Sequence, residues 1–205
     1  MSQDERVLCA ETDAVWPSGA AGGVSVRRLD SLSDLDQQFQ CYFKPRSDVE
    51  HDPAWQHFCS YVVFKCGRLV QVYRRPVKAG ESRLAGRVSV GVGGHINIED
   101  SDPHGVVSQT IWNGILRELD EETSLSSVQS PPVFGGPTWM IRDVTNDVGR
   151  VHTGIVQIIE VDEQRPQYAV LDCETDWTTP QQLFRHPDLE SWSRIVLQYI
   201  IGLNH

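Results

Sequence analysis

Residues 93–125 read GGHINIEDSDPHGVVSQTIWNGILRELDEETSL, and this stretch decides the fold because it joins a glycine turn to one long helix. Asp102 or Ser101, followed by Pro103, is a suitable start for that helix. Apolar residues at helical spacing predict the helix itself from about Val106 onwards. They are Ile111, Trp112, Ile115, Leu116 and Leu119.

The last two turns of the predicted helix carry Glu118, Glu121 and Glu122. Residues spaced i, i+3 and i+4 lie on one edge of a helix, so these carboxylates should converge. Their like charges repel unless a cation or an arginine neutralises them. Oxygen-only ligands suit a hard divalent ion, Mg²⁺ first and Mn²⁺ or Ca²⁺ next. On spacing alone, the simpler interpretation is a solvated helix face.

The run R-E-L-D-E-E-T-S-L, residues 117–125, resembles the second half of the Nudix box, usually written G-x5-E-x7-R-E-U-x-E-E-x-G-U with U a bulky apolar residue. Ser124 replaces the final glycine of the box, and Gln109 replaces its first glutamate. The glycine turn is present, but the segment between it and the arginine is longer than in the family. Three acidic residues in that segment are candidates to replace the missing glutamate, or else cap the helix. They are Glu99, Asp100 and Asp102.

This resemblance implies an α/β fold, the Nudix α/β/α sandwich with a mixed, mostly antiparallel sheet. It also implies metal-dependent cleavage of a diphosphate bond in a nucleoside diphosphate linked to another moiety. Glu118, Glu121 and Glu122 would bind Mg²⁺ or Mn²⁺, and Arg117 would hold the glutamates in their ligand rotamers. Glu118, Glu121 and Arg117 are the expected catalytic residues, with Glu118 as the default general base. Alternative bases are Glu163, Glu174 and Asp176.

The resemblance further implies contacts to the substrate phosphates. Gly93 and Gly94 allow the backbone to approach a phosphate closely. His95 follows directly, either as a phosphate contact or as a buried structural histidine. Arg75, or Arg74, closes a predicted hairpin in the same place as a phosphate-binding arginine of the family, although a charge at a strand end also keeps a sheet edge soluble. Three aromatic residues could stack on a purine or belong to the core: Tyr73, Trp139 and Trp177.

The chain of 205 residues is long enough for one domain with a substantial core and a small extension. We expect residues 1–56 to form an N-terminal extension of helix and loop, and residues 57–205 to form the Nudix domain. Strands are expected at 7–10, 61–65, 69–73, 87–93, 138–141 and 151–161. A helix is expected within 30–43, a polar turn at 143–149, and an amphipathic helix near 192–200.

Composition limits the partners and the compartment. A net charge of −10 argues against binding of nucleic acid polymers, which requires a surplus of lysine and arginine. The five cysteines include no C-x-x-C pair and indicate reduced cytoplasmic thiols. We find no signal peptide and no run of apolar residues that could span a membrane. The expected partner is a small nucleotide diphosphate substrate, and a homodimer is possible.

Alternative functions remain open. Gln109 and Ser124 favour a non-catalytic Nudix domain that senses or binds nucleotides. An isoprenyl diphosphate isomerase also occurs on this fold, but it would be expected to use a cysteine and a glutamate, and no cysteine lies beside the glycine turn or the box in the sequence. A chance match to the box in an unrelated globular protein is the third alternative.

Overall fold

The computed structural model describes residues 5–19, 23–76, 85–125, 136–161, 168 and 170–202. These residues form a ten-stranded sheet, six α-helices, two 3-10 turns and one π-helical turn. The strands are β1 Arg6–Glu11, β2 Val24–Leu29, β3 Tyr42–Pro45, β4 Trp55–Cys66, β5 Leu69–Arg74, β6 Val88–Ser89, β7 Gly91–Val92, β8 Thr138–Asp143, β9 His152–Glu160 and β10 Thr175–Thr178. The helices are α1 Thr12–Val15, α2 Arg46–Val49, α3 Val107–Glu122, α4 Asp147–Val151, α5 Pro180–Phe184 and α6 Ser191–Ile195. The 3-10 turns are Leu32–Gln37 and Ile98–Asp100, and the π-helical turn is Val196–Ile200.

The chain divides into two compact units, each assembled from three segments. The first unit comprises Met1–Tyr61, Gly93–Glu118 and Gly136–Gln157. The second comprises Val62–Val92, Leu119–Gly135 and Ile158–His205. Strand β4 includes residue 56, where we expect the N-terminal extension to end. The division of the chain into an extension and a Nudix domain remains a prediction.

In the first unit, β8 lies between β9 and β2, and β1 pairs with both β3 and β4. The pairs β2–β8, β8–β9, β1–β3 and β1–β4 are antiparallel. The core is formed by large apolar side chains that are fully buried, and α3 contributes two of them. They include Phe58, Ile96, Ile111, Ile115, Met140 and Ile155.

Helix α3 confirms the main sequence prediction. It begins at Val107, after a turn in which the Asp102 carboxylate accepts hydrogen bonds from the backbone of His104 and Val106. The prediction that Leu116 belongs to the apolar face is wrong, because this side chain is 43% exposed. The buried stripe is therefore narrower than the sequence pattern indicated.

In the second unit, β5 pairs with β10, β4 and β6, and β4 also pairs with β7. All of these pairs are antiparallel, and a single parallel bridge joins Val88 to Leu189. The predicted hairpin is confirmed, with Cys66 opposite Leu69 and Gly67 at a φ of 57° in its turn. The left-handed φ favours glycine there. The α/β class and the mostly antiparallel sheet are thus as predicted.

Three local predictions need correction. The helix expected within 30–43 is the 3-10 turn Leu32–Gln37. The polar turn expected at 143–149 contains the start of α4, because the Asn146 side chain accepts a hydrogen bond from the Gly149 backbone and caps it. The C-terminal helix is split into α6 and the π-helical turn. Among the described residues, no helix has the length and apolar character needed to cross a bilayer.

Candidate functional site

The Glu118 carboxylate lies against the glycine turn. A Cβ atom added to Gly94 would approach both carboxylate oxygens of Glu118 to 2.7 Å, so the Glu118 side chain would have to move to admit any other residue there. Arg117 Nη1 donates a hydrogen bond to Glu118 Oε1 at 2.7 Å. Glu118 is nearly buried, at 8% exposure, and its charge is therefore held next to a guanidinium rather than in water.

Besides Glu118, two groups hold Arg117. Its Nε and Nη2 donate to the two carboxylate oxygens of Asp100 at 2.8 and 2.9 Å, and Nη2 also donates to the His95 carbonyl oxygen at 2.9 Å. Bidentate pairing of this kind fixes the orientation of the guanidinium. The hydrogen bonds to Asp100 are the main reason that the pKa of Arg117 is raised, and Glu118 adds to the effect. Burial acts in the opposite direction but is weaker. The guanidinium is therefore a permanent charge between two carboxylates.

Asp100 is the acidic residue of the long segment that reaches the arginine. Its side chain is buried and also accepts a hydrogen bond from the Asn97 backbone at 2.7 Å. Glu99 is exposed, and Asp102 caps the turn before α3. Gln109, at the position of the missing glutamate, is exposed and donates to Asn113.

The end of α3 differs from a glycine-capped helix. Glu121 and Glu122 are exposed in its last turn. The Thr123 hydroxyl donates to the Leu119 carbonyl oxygen at 2.6 Å and accepts from the Leu125 backbone. Ser124, where the Nudix box has glycine, is not among the residues with positive φ. The Leu119 carbonyl oxygen also accepts from the Thr123 backbone at 3.0 Å, so the hydroxyl adds a second hydrogen bond at this helix end.

A second cluster of polar side chains lies in the first unit. His57 lies in β4, His152 begins β9, His95 follows the glycine turn and Glu50 follows α2. One ligand atom from each of these four residues lies within 4.8 Å of every other. We call these residues the histidine cluster. Among the described residues, it is the group of side chains that converges in this way.

Hydrogen bonds orient the rings of the cluster. His152 Nδ1 lies 2.6 Å from the Val148 carbonyl oxygen, which can only accept, so Nδ1 carries the hydrogen. His152 Nε2 then presents a lone pair to His95 Nε2, 3.0 Å away. His57 is fully buried, and within the described part of the chain neither of its ring nitrogens forms a hydrogen bond of normal geometry, although the Val49 backbone is close to the ring. An unpaired buried polar atom costs about 1–3 kcal/mol.

The surroundings keep the imidazoles of His57 and His95 neutral. Burial lowers the pKa of His57 to about 4, and His152 adds to this effect, while the Val49 backbone and Glu50 oppose it. Burial, followed by the neighbouring His152, lowers the pKa of His95 well below its usual range. Neutral imidazole is the form that binds metal ions.

Comparisons with known proteins place the fold. No protein-family model matches the sequence. Protein YmaB of Bacillus subtilis (strain 168) is 29% identical over 207 residues, which cover 96% of this chain and 98% of that protein. The crystal structure of Tm1382, described as a candidate Nudix hydrolase, matches with a TM-score of 0.70 at 23% identity, over 94% of this chain and 96% of that chain. The chain has the Nudix fold. The MutT protein from Methanosarcina mazei Go1 matches less well, with a TM-score of 0.39 at 15% identity over 68% of this chain and 88% of that one.

The other residues that the Nudix resemblance singled out, the substrate contacts and the alternative bases, lie in different surroundings. In the second unit, Arg75 Nε donates to the buried Glu190 at 2.9 Å, so this arginine already has an anionic partner. Tyr73 is buried, and its hydroxyl donates to the Gly91 carbonyl oxygen, which makes it a core residue. Glu174 and Asp176 are exposed, and Glu163 lies outside the described residues.

Sequence reasoning on the Nudix box missed Glu50, His57 and His152. Glu50 and His57 are close in the chain, but His152 is far from both, so no local spacing indicates the cluster. His95 was noted only as a phosphate contact or structural histidine. A buried histidine in each of two apolar strands was the available signal.

Proposed function

We propose that this protein is a metal-dependent Nudix hydrolase that cleaves a diphosphate bond in a nucleoside diphosphate linked to another moiety. The observation that carries the proposal is the Glu118 carboxylate, placed on the glycine turn at Gly94 and held by Arg117. A carboxylate next to exposed glutamates of the same helix is the arrangement that the Nudix box predicts. The similarity to Tm1382 supports the same reaction class.

The type of ligand suits a hard divalent ion, although the convergent group among the described residues is the histidine cluster and not these three carboxylates. Glu118, Glu121 and Glu122 would bind Mg²⁺ or Mn²⁺ through carboxylate oxygens, the ligands that these ions prefer. When bound, the metal would polarise a phosphoryl oxygen and make the attacking water more acidic. Exposure of Glu121 and Glu122 at the end of α3 keeps this edge of the helix open to solvent and substrate.

The protein groups have separate tasks in this proposal. Glu118 accepts the proton of the attacking water, with Glu121 as the second catalytic carboxylate. Arg117 is a positioning residue, because its bonds to Asp100 and Glu118 fix the Glu118 rotamer. Gly93 and Gly94 would let the backbone approach the substrate.

Two further substrate contacts belong to the same proposal. His95 would contribute beside the glycine turn through its backbone, since its ring belongs to the histidine cluster. Arg75 would contact a phosphate only by exchanging its ion pair with Glu190, which makes binding by this residue dependent on a rearrangement.

A substrate panel with matched variants tests the proposal. The panel contains ADP-ribose, dinucleoside polyphosphates, NADH and nucleoside triphosphates, with Mg²⁺, with Mn²⁺ and without metal. We expect Glu122→Gln to abolish metal-dependent turnover with little loss of fold. Asp120→Asn is the control, because Asp120 is an exposed carboxylate at the variable position of the box. Parent-like turnover by Glu122→Gln would overturn the site assignment.

Absence of turnover with the whole panel would favour the non-catalytic alternative. Gln109 is the observation on its side, since a neutral exposed amide stands where the box has a glutamate. Calorimetric titration with the same nucleotides then distinguishes a binding module, which binds without turnover, from a protein with no nucleotide site.

A specific observation also bears on the isomerase alternative. No cysteine lies beside the glycine turn in the sequence, but the fold pairs Cys59 with His95. Burial, followed by the nearby Glu118, raises the pKa of the Cys59 thiol, which therefore stays protonated. The Cys59 thiol is therefore close enough to the Glu118 carboxylate for that charge to raise its pKa. Isomerisation of an isoprenyl diphosphate that is lost in Cys59→Ser and kept in Cys41→Ser would support this function, and failure of the parent to isomerise it would exclude that substrate.

A further inference from the structure

We propose that the histidine cluster is a second metal site that binds a transition-metal ion, Zn²⁺ in the first place, through Glu50, His57, His95 and His152. The inference does not depend on the hydrolase activity, since none of these side chains belongs to the Nudix box. It concerns residues of the first unit only.

The ligand types select the metal. Three imidazole nitrogens and one carboxylate oxygen form a set typical of Zn²⁺ and neighbouring transition metals, whereas Mg²⁺ prefers oxygen alone. Zinc–ligand bonds of about 2.0–2.1 Å in a tetrahedron require ligand atoms about 3.4 Å apart. The His95 and His152 Nε2 atoms are already 3.0 Å apart. All four ligand atoms lie within 4.8 Å of one another, so small side-chain rotations would complete the tetrahedron.

The neighbours of the cluster orient its lone pairs. The Val148 carbonyl oxygen fixes the hydrogen of His152 on Nδ1 and leaves Nε2 for the ion. A ligating histidine commonly donates its other ring nitrogen to a carbonyl or carboxylate in this way. Near His95, the Glu5 carboxylate lies 3.9 Å from Nδ1, which is beyond hydrogen-bond distance but leaves a negative charge beside that nitrogen.

Arg46 holds the acidic side of the cluster. Its Nε donates to Glu50 Oε2 at 2.8 Å, and its Nη1 donates to Glu5 Oε2 at 2.9 Å. One guanidinium therefore positions the carboxylate ligand and the carboxylate beside His95. Hydrogen-bonded ligating carboxylates of this kind are a usual part of metal sites.

His57 is the independent observation that a ligand is required. Its ring is fully buried, and among the described residues no hydrogen bond of normal geometry reaches its nitrogens, although the Val49 backbone is close enough to raise its pKa. Its ring centroid lies 4.8 Å from that of His152 and 5.8 Å from that of His95. A buried polar group without a partner in a native fold calls for an ion or a water. The convergence of three further ligand atoms favours an ion.

The role of the site follows from its coordination. Four protein ligands fill a tetrahedron and leave no open position for substrate, which is the arrangement of a structural zinc site. The ligands come from β4, β9, the glycine turn and the residue after α2, so the ion would tie four separate segments of the first unit together. Glu50 and His95 side chains are each 14% exposed, which gives the ion a route of entry.

Metal analysis of the full chain, prepared without a polyhistidine tag, tests the proposal. After chelation and reloading with Zn²⁺, elemental analysis should find one tightly held ion per chain. Loading with Co²⁺ should give the intense visible bands of tetrahedral coordination. Both signals should be lost in His57→Gln and His152→Gln, and kept in His104→Gln, which replaces an exposed histidine outside the cluster.

Thermal unfolding keeps the test decisive if a variant is unstable. At free Zn²⁺ about 1,000 times the Kd, mass action should raise the Tm of the parent by about 8–16 °C. Glu50→Gln, at a half-buried position, should show a much smaller rise. A parent without bound zinc, or cluster variants that bind zinc as the parent does, would overturn the proposal. Glu122→Gln must keep the Co²⁺ bands, and their loss in that variant would assign the ion to the Nudix box instead.

Discussion

Asp100→Asn measures the contribution of the buried ion pair with Arg117. The two side chains share hydrogen bonds of 2.8 and 2.9 Å, and they are 3% and 24% exposed. Removing one partner of a buried pair costs about 3–5 kcal/mol. Arg117 keeps Glu118 and is partly solvated, so we expect the lower end of this range. The Tm should fall by about 6–12 °C.

The same substitution should also affect turnover. In the proposed hydrolase Arg117 positions Glu118, and loss of a supporting partner at a metal site typically costs about 10–100-fold in activity. The assays are thermal unfolding and metal-dependent hydrolysis, with Glu99→Gln as the matched control because the neighbouring Glu99 is exposed. If Asp100→Asn and Glu99→Gln unfold within about 0.5 kcal/mol of one another, the pair does not stabilise the protein as argued.

Two further substitutions separate the groups around the box. Gly94→Ala places a Cβ 2.7 Å from both Glu118 carboxylate oxygens, so we expect it to displace that side chain. The kcat should fall strongly while the Tm changes little, and an unchanged kcat would contradict the role of Glu118. Gln109→Glu restores the glutamate of the family pattern, but Gln109 is exposed and Asp100 already occupies the arginine. We therefore expect turnover within about 2-fold of the parent, and a large gain would show that the exposed position serves the metal after all.

The parts of the fold that the sequence predicted are those with long periodic runs. The apolar residues of β4, β5, β8 and β9 and the four-residue spacing in α3 report burial directly. The predicted helix within 30–43 shows why other parts differ. Phe39 suits a helical stripe, yet it lies beyond the 3-10 turn and stacks on Phe58 with ring centroids 5.5 Å apart. The stacking contact with Phe58 packs the Phe39 side chain without any need for a helix at this position.

The box and the histidine cluster differ in predictability for the same physical reason. Glu118, Glu121 and Glu122 lie on one helix, so their spacing alone predicts that they share one edge of it. Asp100 could be proposed as one of three acidic residues, but only the fold shows which of them reaches Arg117. His57 and His152 lie on strands far apart in the chain, and their proximity depends on pairing that no single segment contains.

The glycine turn has a mechanical consequence. Gly93 has a φ of 143°, and a Cβ there would lie 2.5 Å from the Ser60 carbonyl oxygen, so the backbone is fixed against β4. The Glu118 carboxylate lies against Gly94. The next residue, His95, places its ring in the histidine cluster, and its carbonyl oxygen accepts a hydrogen bond from Arg117. Because Gly93, Gly94 and His95 are consecutive, a shift of the backbone at one of them displaces the other two. In a double-mutant cycle, substitutions in the box and in the cluster should therefore give non-additive free energies.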